Sequence, residues 1–290
     1  MTIKERGYTH WDGELQDGRF PWWPITRIGI KLTFKRRFFK FFLGFTMIPA
    51  LVWLVGIYVS ERLEDFKFMM EGDQTDFLNV NPQYFRTYLT NDFLLFMIIM
   101  ILVFCGAGLI ADDLKHNALQ LYFARPLKKR DYLTGKAAVI FFFLFIVTLV
   151  PGIVFIFFKM IFAGNFQFFA SYPWLILSVI AYSILITTFF AFYTLLLSSI
   201  GKNRRYVAIL IFGVYIFSDI FYAIFYEIFR CRYFSLLSIK SNLQQVGAVL
   251  FNQKTPVDIP WFYSLLVIVA ICLFAGFMLK RKVRGVEIIK

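Results

Sequence analysis

The chain is short of histidine, cysteine and charge, and each shortage removes a class of function. Histidine occurs twice in 290 residues, at positions 10 and 116. There is no HExxH, no GxSxG and no clustered Cys/His set, so no catalytic residue and no metal ligand is expected. Of the three cysteines, Cys105 and Cys272 lie inside apolar runs and Cys231 outside them. None has CxxC spacing, so no disulfide framework is indicated. A phosphate-cradling GxxxxGK[ST] loop is absent: Arg130 and Leu196 stand where the first glycine would precede Gly135-Lys136 and Gly201-Lys202. Any nucleotide-driven work therefore needs another chain. Charged residues make up 17% of the total, against about 25% in soluble domains, which excludes an ordinary soluble fold and a disordered chain alike.

What is abundant is apolar surface: 59% hydrophobic residues, 39 Phe and a mean hydropathy of +0.67. A membrane-crossing helix needs about 20 mostly apolar residues. Six windows qualify, at about 38–59, 93–111, 137–162, 174–199, 206–226 and 261–279. None shows the ten-residue alternation of barrel strands. The fold expected is all-α and polytopic: a 1–37 N-terminal segment, a six-helix 38–279 membrane domain and a basic 280–290 tail.

The net charge of +13 is distributed by topology. Segments before span 1, between 2 and 3, between 4 and 5, and after 6 hold 8, 6, 3 and 5 Lys and Arg, whereas the three alternate segments hold 3, 0 and 4. The positive-inside rule then places both termini in the cytoplasm of a multi-pass inner (plasma) membrane protein. No loop is long enough for a folded basic domain, so nucleic acid is not an expected partner. Residues 1–23 carry Glu5, Asp12, Glu14 and Asp17 and lack the apolar core of a cleavable signal peptide.

Three stretches stand out. After Pro24, Ile25, Ile28, Leu32 and Phe39 recur at helical spacing, with Arg27, Lys31, Lys35 and Arg36 mostly off that face. This predicts an amphipathic helix at 24–37 in the membrane interface, with lipid as its partner. Residues 112–136 predict a short helix whose Leu114, Ala118, Leu121 and Tyr122 share a face, acids at its start, and a stop at Pro126 before Lys128–Arg130. That is the form of a docking surface for a cytosolic partner, or of a connector at the headgroups. Asp219 lies deep in span 5, where a charge costs about 2.5–3.5 kcal/mol. Tyr215, Tyr222 and Tyr226 share its face and Ser218 is adjacent, so the stripe reads either as a translocation path or as a buried polar cluster fixing helix packing. Small-residue stripes, Thr187/Ala191/Thr194/Ser198 in span 4 and Cys105–Gly108 with Ala111 in span 2, read as helix-packing faces. The outer segments 60–92 and 227–260 are expected to hold some structure, the second as short helices at or in the outer leaflet.

The six spans, the amphipathic helix and the 112–136 loop together resemble the type-2 ATP-binding-cassette (ABC) exporter permeases. In that family the loop runs from an acidic residue through a small turn-like pair, a Leu-rich short helix and Pro with basic residues to Gly-Lys. Here these are Asp112, Asn117-Ala118, Leu119–Leu121, Arg125-Pro126 with Lys128–Arg130, and Gly135-Lys136. The departure is Asn117-Ala118, commonly Gly-Thr. The resemblance implies a cytoplasmic coupling helix over 112–123, with Asp113, Leu114, Asn117, Ala118, Leu119, Leu121, Tyr122, Arg125 and Pro126 coupling to an ATPase. It also implies a connecting helix through Ile25, Arg27, Ile28, Lys31 and Leu32. Two ABC ATPase subunits would bind ATP and Mg, leaving this chain without a cofactor. A second permease chain would complete a homodimer or heterodimer that exports a substrate. The alternatives are an ATPase-independent secondary transporter or channel, or a membrane anchor or assembly protein for a cytosolic partner.

Overall fold

A computed structural model describes residues 20–62, 80–123, 127–164 and 167–282. Among these residues all regular structure is helical. The amphipathic α1 (Trp23–Phe34) leads into α2 (Arg37–Glu61). The second span is built from α3 (Pro82–Leu89), α4 (Asp92–Cys105) and α5 (Gly108–Lys115). A short α6 (Ala118–Phe123) follows, then the third span as α7 (Lys129–Val147) and α8 (Leu149–Ala163), and a brief α9 (Gln167–Ser171). The fourth and fifth spans are α10 (Leu175–Ile200) and α11 (Arg204–Phe229). A 3-10 turn (Arg232–Leu237), α12 (Ile239–Leu250) and the sixth span, α13 (Trp261–Lys282), complete the chain. Among the described residues six stretches are thus long and apolar enough to cross a bilayer. The second begins at Pro82 rather than 93, because the end of the acidic 60–92 segment folds into the bundle as α3, with Phe85, Tyr88 and Leu89 buried.

Local chemistry accounts for the boundaries. Side chains of Asn81, Asn91, Asn203 and Ser238 accept from backbone N–H groups of Tyr84, Phe93, Arg205 and Ser241, capping α3, α4, α11 and α12. Pro24 and Pro82 stand in the first turns of α1 and α3, where their missing N–H is harmless. Gly164 ends α8 in the left-handed conformation, φ +64°.

The second and third spans are interrupted. In the third, Pro151 has no N–H for the Val147 carbonyl and its ring crowds that oxygen. The chain breaks at Thr148, and the freed Val147 carbonyl accepts from Tyr88 Oη at 3.0 Å. In the second, Gly106-Ala107 separates α4 from α5.

Helix α10 is the pillar, packed against α13, α7, α5, α11 and α8. The second, third and fourth spans fill the interior, while α2, α11 and α13 turn long apolar faces outward, with Phe41, Leu51, Ile209, Phe217, Leu266 and Leu273 all exposed. Apolar patches of this extent suit lipid or another apolar protein surface, not water. Between helices in lipid, close contact drives association, and the small-residue stripes supply it within this chain. Gly106 lies against Thr194, and Ser198 is bonded across to α5.

Candidate functional site

The polar chemistry collects at the two ends of the bundle. At one end lie α1, the α5–α6 turn and the starts of α7 and α11. At the other lie α3, the start of α4 and α12.

At the α1 end, α5 continues the second span and stops at Asn117, whose φ of +52° is left-handed. Asn tolerates that conformation better than most residues, so it serves where the resembled family commonly has glycine. The Asp112 carbonyl contacts both the His116 N–H (3.1 Å) and His116 Nδ1 (2.8 Å), closing the helix end. The continuous 112–123 helix expected from the sequence is therefore two helices meeting at a corner. The expected face is corrected with it: Leu114, Leu119 and Tyr122 point inward, whereas Leu121 is 76% exposed. Ala118 is half-buried and Asn117 exposed. Arg125 and Pro126 lie outside the described residues.

The corner is braced from behind. Asp113 Oδ2 accepts from Tyr132 Oη at 2.6 Å and pairs with Lys136 Nζ at 2.7 Å; both members of the ion pair are largely buried. The Lys136 ammonium also stands 5.4 Å from the Tyr132 ring and 5.8 Å from that of Tyr122. Burial, and then the Asp113 carboxylate, push the Tyr122 hydroxyl above the ordinary phenol range. Gly135 has a different task. A Cβ there would come within 2.9 Å of Ile25 Cβ and of the Trp22 carbonyl, and its own carbonyl accepts from Thr26 Oγ1 at 3.0 Å. Gly135 lets α1 close on α7, and Lys136 ties α7 to α5.

Helix α1 meets α7 through Thr26, Gly29 and Thr33, with Ile25 partly buried. Ile28 and Leu32, expected on the same face as Ile25, are 58% and 52% exposed and project outward beside exposed Arg27 and Lys31. The alternation of Thr and Gly on the packed side hid this face from a reading based on large apolar residues.

At the break in the second span, the Phe104 carbonyl accepts from Arg36 Nη1 at 2.6 Å and from Arg204 Nη2 at 2.9 Å. Ser198 Oγ accepts from the Ile110 and Ala111 N–H groups at 3.0 and 3.1 Å and donates to the Ala107 carbonyl at 2.9 Å. One hydroxyl thus replaces the missing rungs of the helix.

At the α12 end, Asp219 is not alone. Its Oδ1 accepts from Ser238 Oγ at 2.9 Å and its Oδ2 pairs with Lys240 Nζ at 3.1 Å. Lys240 also reaches Asp92 at 3.4 Å, and Gln244 donates to Asp92 Oδ1 and to the Thr90 carbonyl. Burial pulls the Lys240 ammonium down, but Asp219 and then Asp92 outweigh it and hold it above its ordinary value. Ser218 Oγ donates to the Tyr215 carbonyl and accepts from the Ile239 N–H. Tyr215 is buried, and the half-buried rings of Tyr222 and Tyr226 lie 5.9 Å apart. An apolar hollow of about 670 Å³ opens on the neighbouring face of α11, lined by Val214, Phe217, Ser218, Phe221, Phe225 and Leu237. Of the predicted stripe, only Ser218 lines it. Sequence reasoning missed Arg36, Arg204, Tyr132, Lys240 and Asp92. Lys136 had a signal in Gly-Lys and Ser198 in the small-residue stripe.

Comparison with curated proteins returns no match. A family model described as "ABC-2 family transporter protein" matches residues 31–256, from within α1 to beyond α12, and takes in both polar clusters and the broken second span. The match covers most of the chain and takes in five of the six long apolar helices among the described residues, so the chain belongs to the ABC-2 family of transporter membrane proteins.

Proposed function

We propose that this ABC-2 family permease couples ATP hydrolysis by a separate ATPase to export of a substrate across the inner (plasma) membrane. The observation that carries the proposal is the α5–α6 corner. Lys115, His116, Asn117, Gln120 and Leu121 are exposed on its tip, while Asp113, Leu119, Tyr122, Tyr132 and Lys136 brace its base. A docking surface that receives force needs an accessible tip and a stiff root. This root is continuous through α5 with the second span. The α1 end would be cytoplasmic, a reading supported by exposed Arg27, Lys31, Lys35, Arg37, Lys40, Lys202, Arg205 and Arg281.

Family permeases of this kind generally work with an ABC ATPase. Here two ATPase subunits, holding ATP and Mg, would dock under two permease chains, identical or related. The outward apolar face of α11 would offer one flank of the path, with the hollow beside Ser218 facing cargo. Asp219 and its partners would hold α12 in place. Nothing in this chain is asked to do bond chemistry.

The test is co-expression with an ABC-type ATPase, followed by purification and ATP hydrolysis in lipid. Leu121→Asp should abolish the complex while leaving an undegraded, monodisperse permease, because that side chain makes little contact within the chain. Retention of the complex by Leu121→Asp and by Gln120→Glu/Leu121→Asp would overturn the docking assignment.

A further inference from the structure

Arg36, at the joint between α1 and α2, and Arg204, at the start of α11, approach α4 from opposite flanks and donate to one neutral acceptor, the Phe104 carbonyl. A carbonyl oxygen has two lone pairs and can accept both bonds, but it neutralises neither charge. Each guanidinium has five N–H donors, and among the described residues neither arginine lies within 4.0 Å of a carboxylate. The nearest acid to act on Arg36 is Asp112, and its effect is smaller than that of burial or of Arg204 itself. Two half-buried cations are thus held together with most of their donors unspent. Such a pair is favourable once an anion with several oxygens bridges it, and the planar guanidinium fork matches phosphate.

The surroundings say what kind of anion. Helices α2 and α11 both pack on α4 and flank it. Along this flank Phe42 stacks on Phe104 at 4.9 Å, Phe45 meets Phe93 at 5.9 Å, and Phe212 meets Phe96 at 6.1 Å. Phe41, Phe45, Phe93 and Phe212 are exposed. From Phe104 to Phe93 the helix rises about 16 Å, close to half of a hydrocarbon core of about 30 Å. A free anion would use the arginines and leave these exposed rings uncovered, whereas an amphiphile of one leaflet uses both.

We propose that Arg36 and Arg204 bind the headgroup phosphate of an anionic phospholipid, whose acyl chain lies along the phenylalanine-lined flank of α4. The lipid bridges the inner ends of α2 and α11 across the break in the second span. The site needs no ATPase and stands apart from the coupling reading.

The test uses the full-length permease in mild detergent, with native mass spectrometry and thermal melting. Phosphatidylglycerol should be retained and should raise the melting midpoint; phosphatidylcholine and inorganic phosphate should do neither. Arg36→Gln/Arg204→Gln should weaken phosphatidylglycerol retention about tenfold or more. Lys40→Gln/Arg205→Gln removes the same charge from exposed positions at the same helix ends and should retain the lipid. Where the double variant does not fold, Arg36→Gln and Arg204→Gln alone should each reduce retention. Equal retention of phosphatidylcholine, equal stabilisation by inorganic phosphate, or equal loss in Lys40→Gln/Arg205→Gln overturns the site. So does undiminished retention in either single variant.

Discussion

The two ends of the bundle solve the problem of charge near lipid in opposite ways. At the α12 end a single ammonium, Lys240, lies between two carboxylates, Asp92 and Asp219, and a glutamine occupies the remaining oxygen of Asp92. That cluster pairs every charge it holds with an opposite one, keeps a net charge of one minus, and gathers residues more than a hundred positions apart. At the α1 end Asp113 is matched by Lys136 inside a largely buried site, while Arg36 and Arg204 share a carbonyl and, among the described residues, have no acid within ion-pair distance. The difference teaches where rigidity and where spare charge reside. The α12 end meets its cation with carboxylates, whereas the α1 end combines a stiff brace with two guanidiniums that, among the described residues, meet only a neutral carbonyl.

The comparison is most directly broken by removing the brace. Asp113→Ala leaves the Lys136 ammonium buried without its carboxylate, and loss of one member of such a pair costs about 3 kcal/mol. The expected result is a large drop in the thermal midpoint in detergent. The double change Asp113→Asn/Lys136→Met should cost clearly less than the sum of the two single changes. Next comes Ser198→Ala, which orphans two N–H groups and one carbonyl at the break and should cost about 2 kcal/mol, read by the same melt. Smaller again is Asn117→Val, at about 1 kcal/mol for a β-branched residue in a left-handed position, while Asn117→Gly should be nearly silent. The contrast between those two is the check.

The smallest effect belongs to the α12 end. Lys240→Met should cost under about 1 kcal/mol, since its partners are well exposed. Its pH dependence has a definite sign. A lysine held above its ordinary value contributes fully below that value and loses its contribution only as the pH rises through the elevated one. The deficit of Lys240→Met against the parent should therefore stay constant from about pH 6 to about pH 9. A deficit that grows or shrinks across that window would show that another group sets the local charge.

The long apolar runs made the six crossings readable from sequence, since length and composition alone decide whether a helix can span. The small-residue stripes of the second and fourth spans were readable for a related reason: close approach needs small side chains wherever it occurs. The breaks within spans were harder. Pro151 foreshadows one, but the other rests on Ser198 and two arginines arriving from segments far away in the chain, and no local pattern encodes such a meeting. The 112–123 segment was legible as helical. Its corner was not, because Asn117 reads as an ordinary polar residue until its φ is known. Asp219 stands out in the sequence as a charge within an apolar run, but its partner Lys240 sits in a segment that reads as an amphipathic outer loop.

The third span is interrupted by a proline, so its missing rung is written into the covalent chain. In the second span a hydroxyl and two guanidiniums hold the backbone groups on either side of Gly106-Ala107. These side chains arrive from α10, from the start of α11 and from the joint between α1 and α2. One bend is thus set within its own helix and the other is held by its neighbours, so substitutions in distant segments act on the second span at Gly106-Ala107.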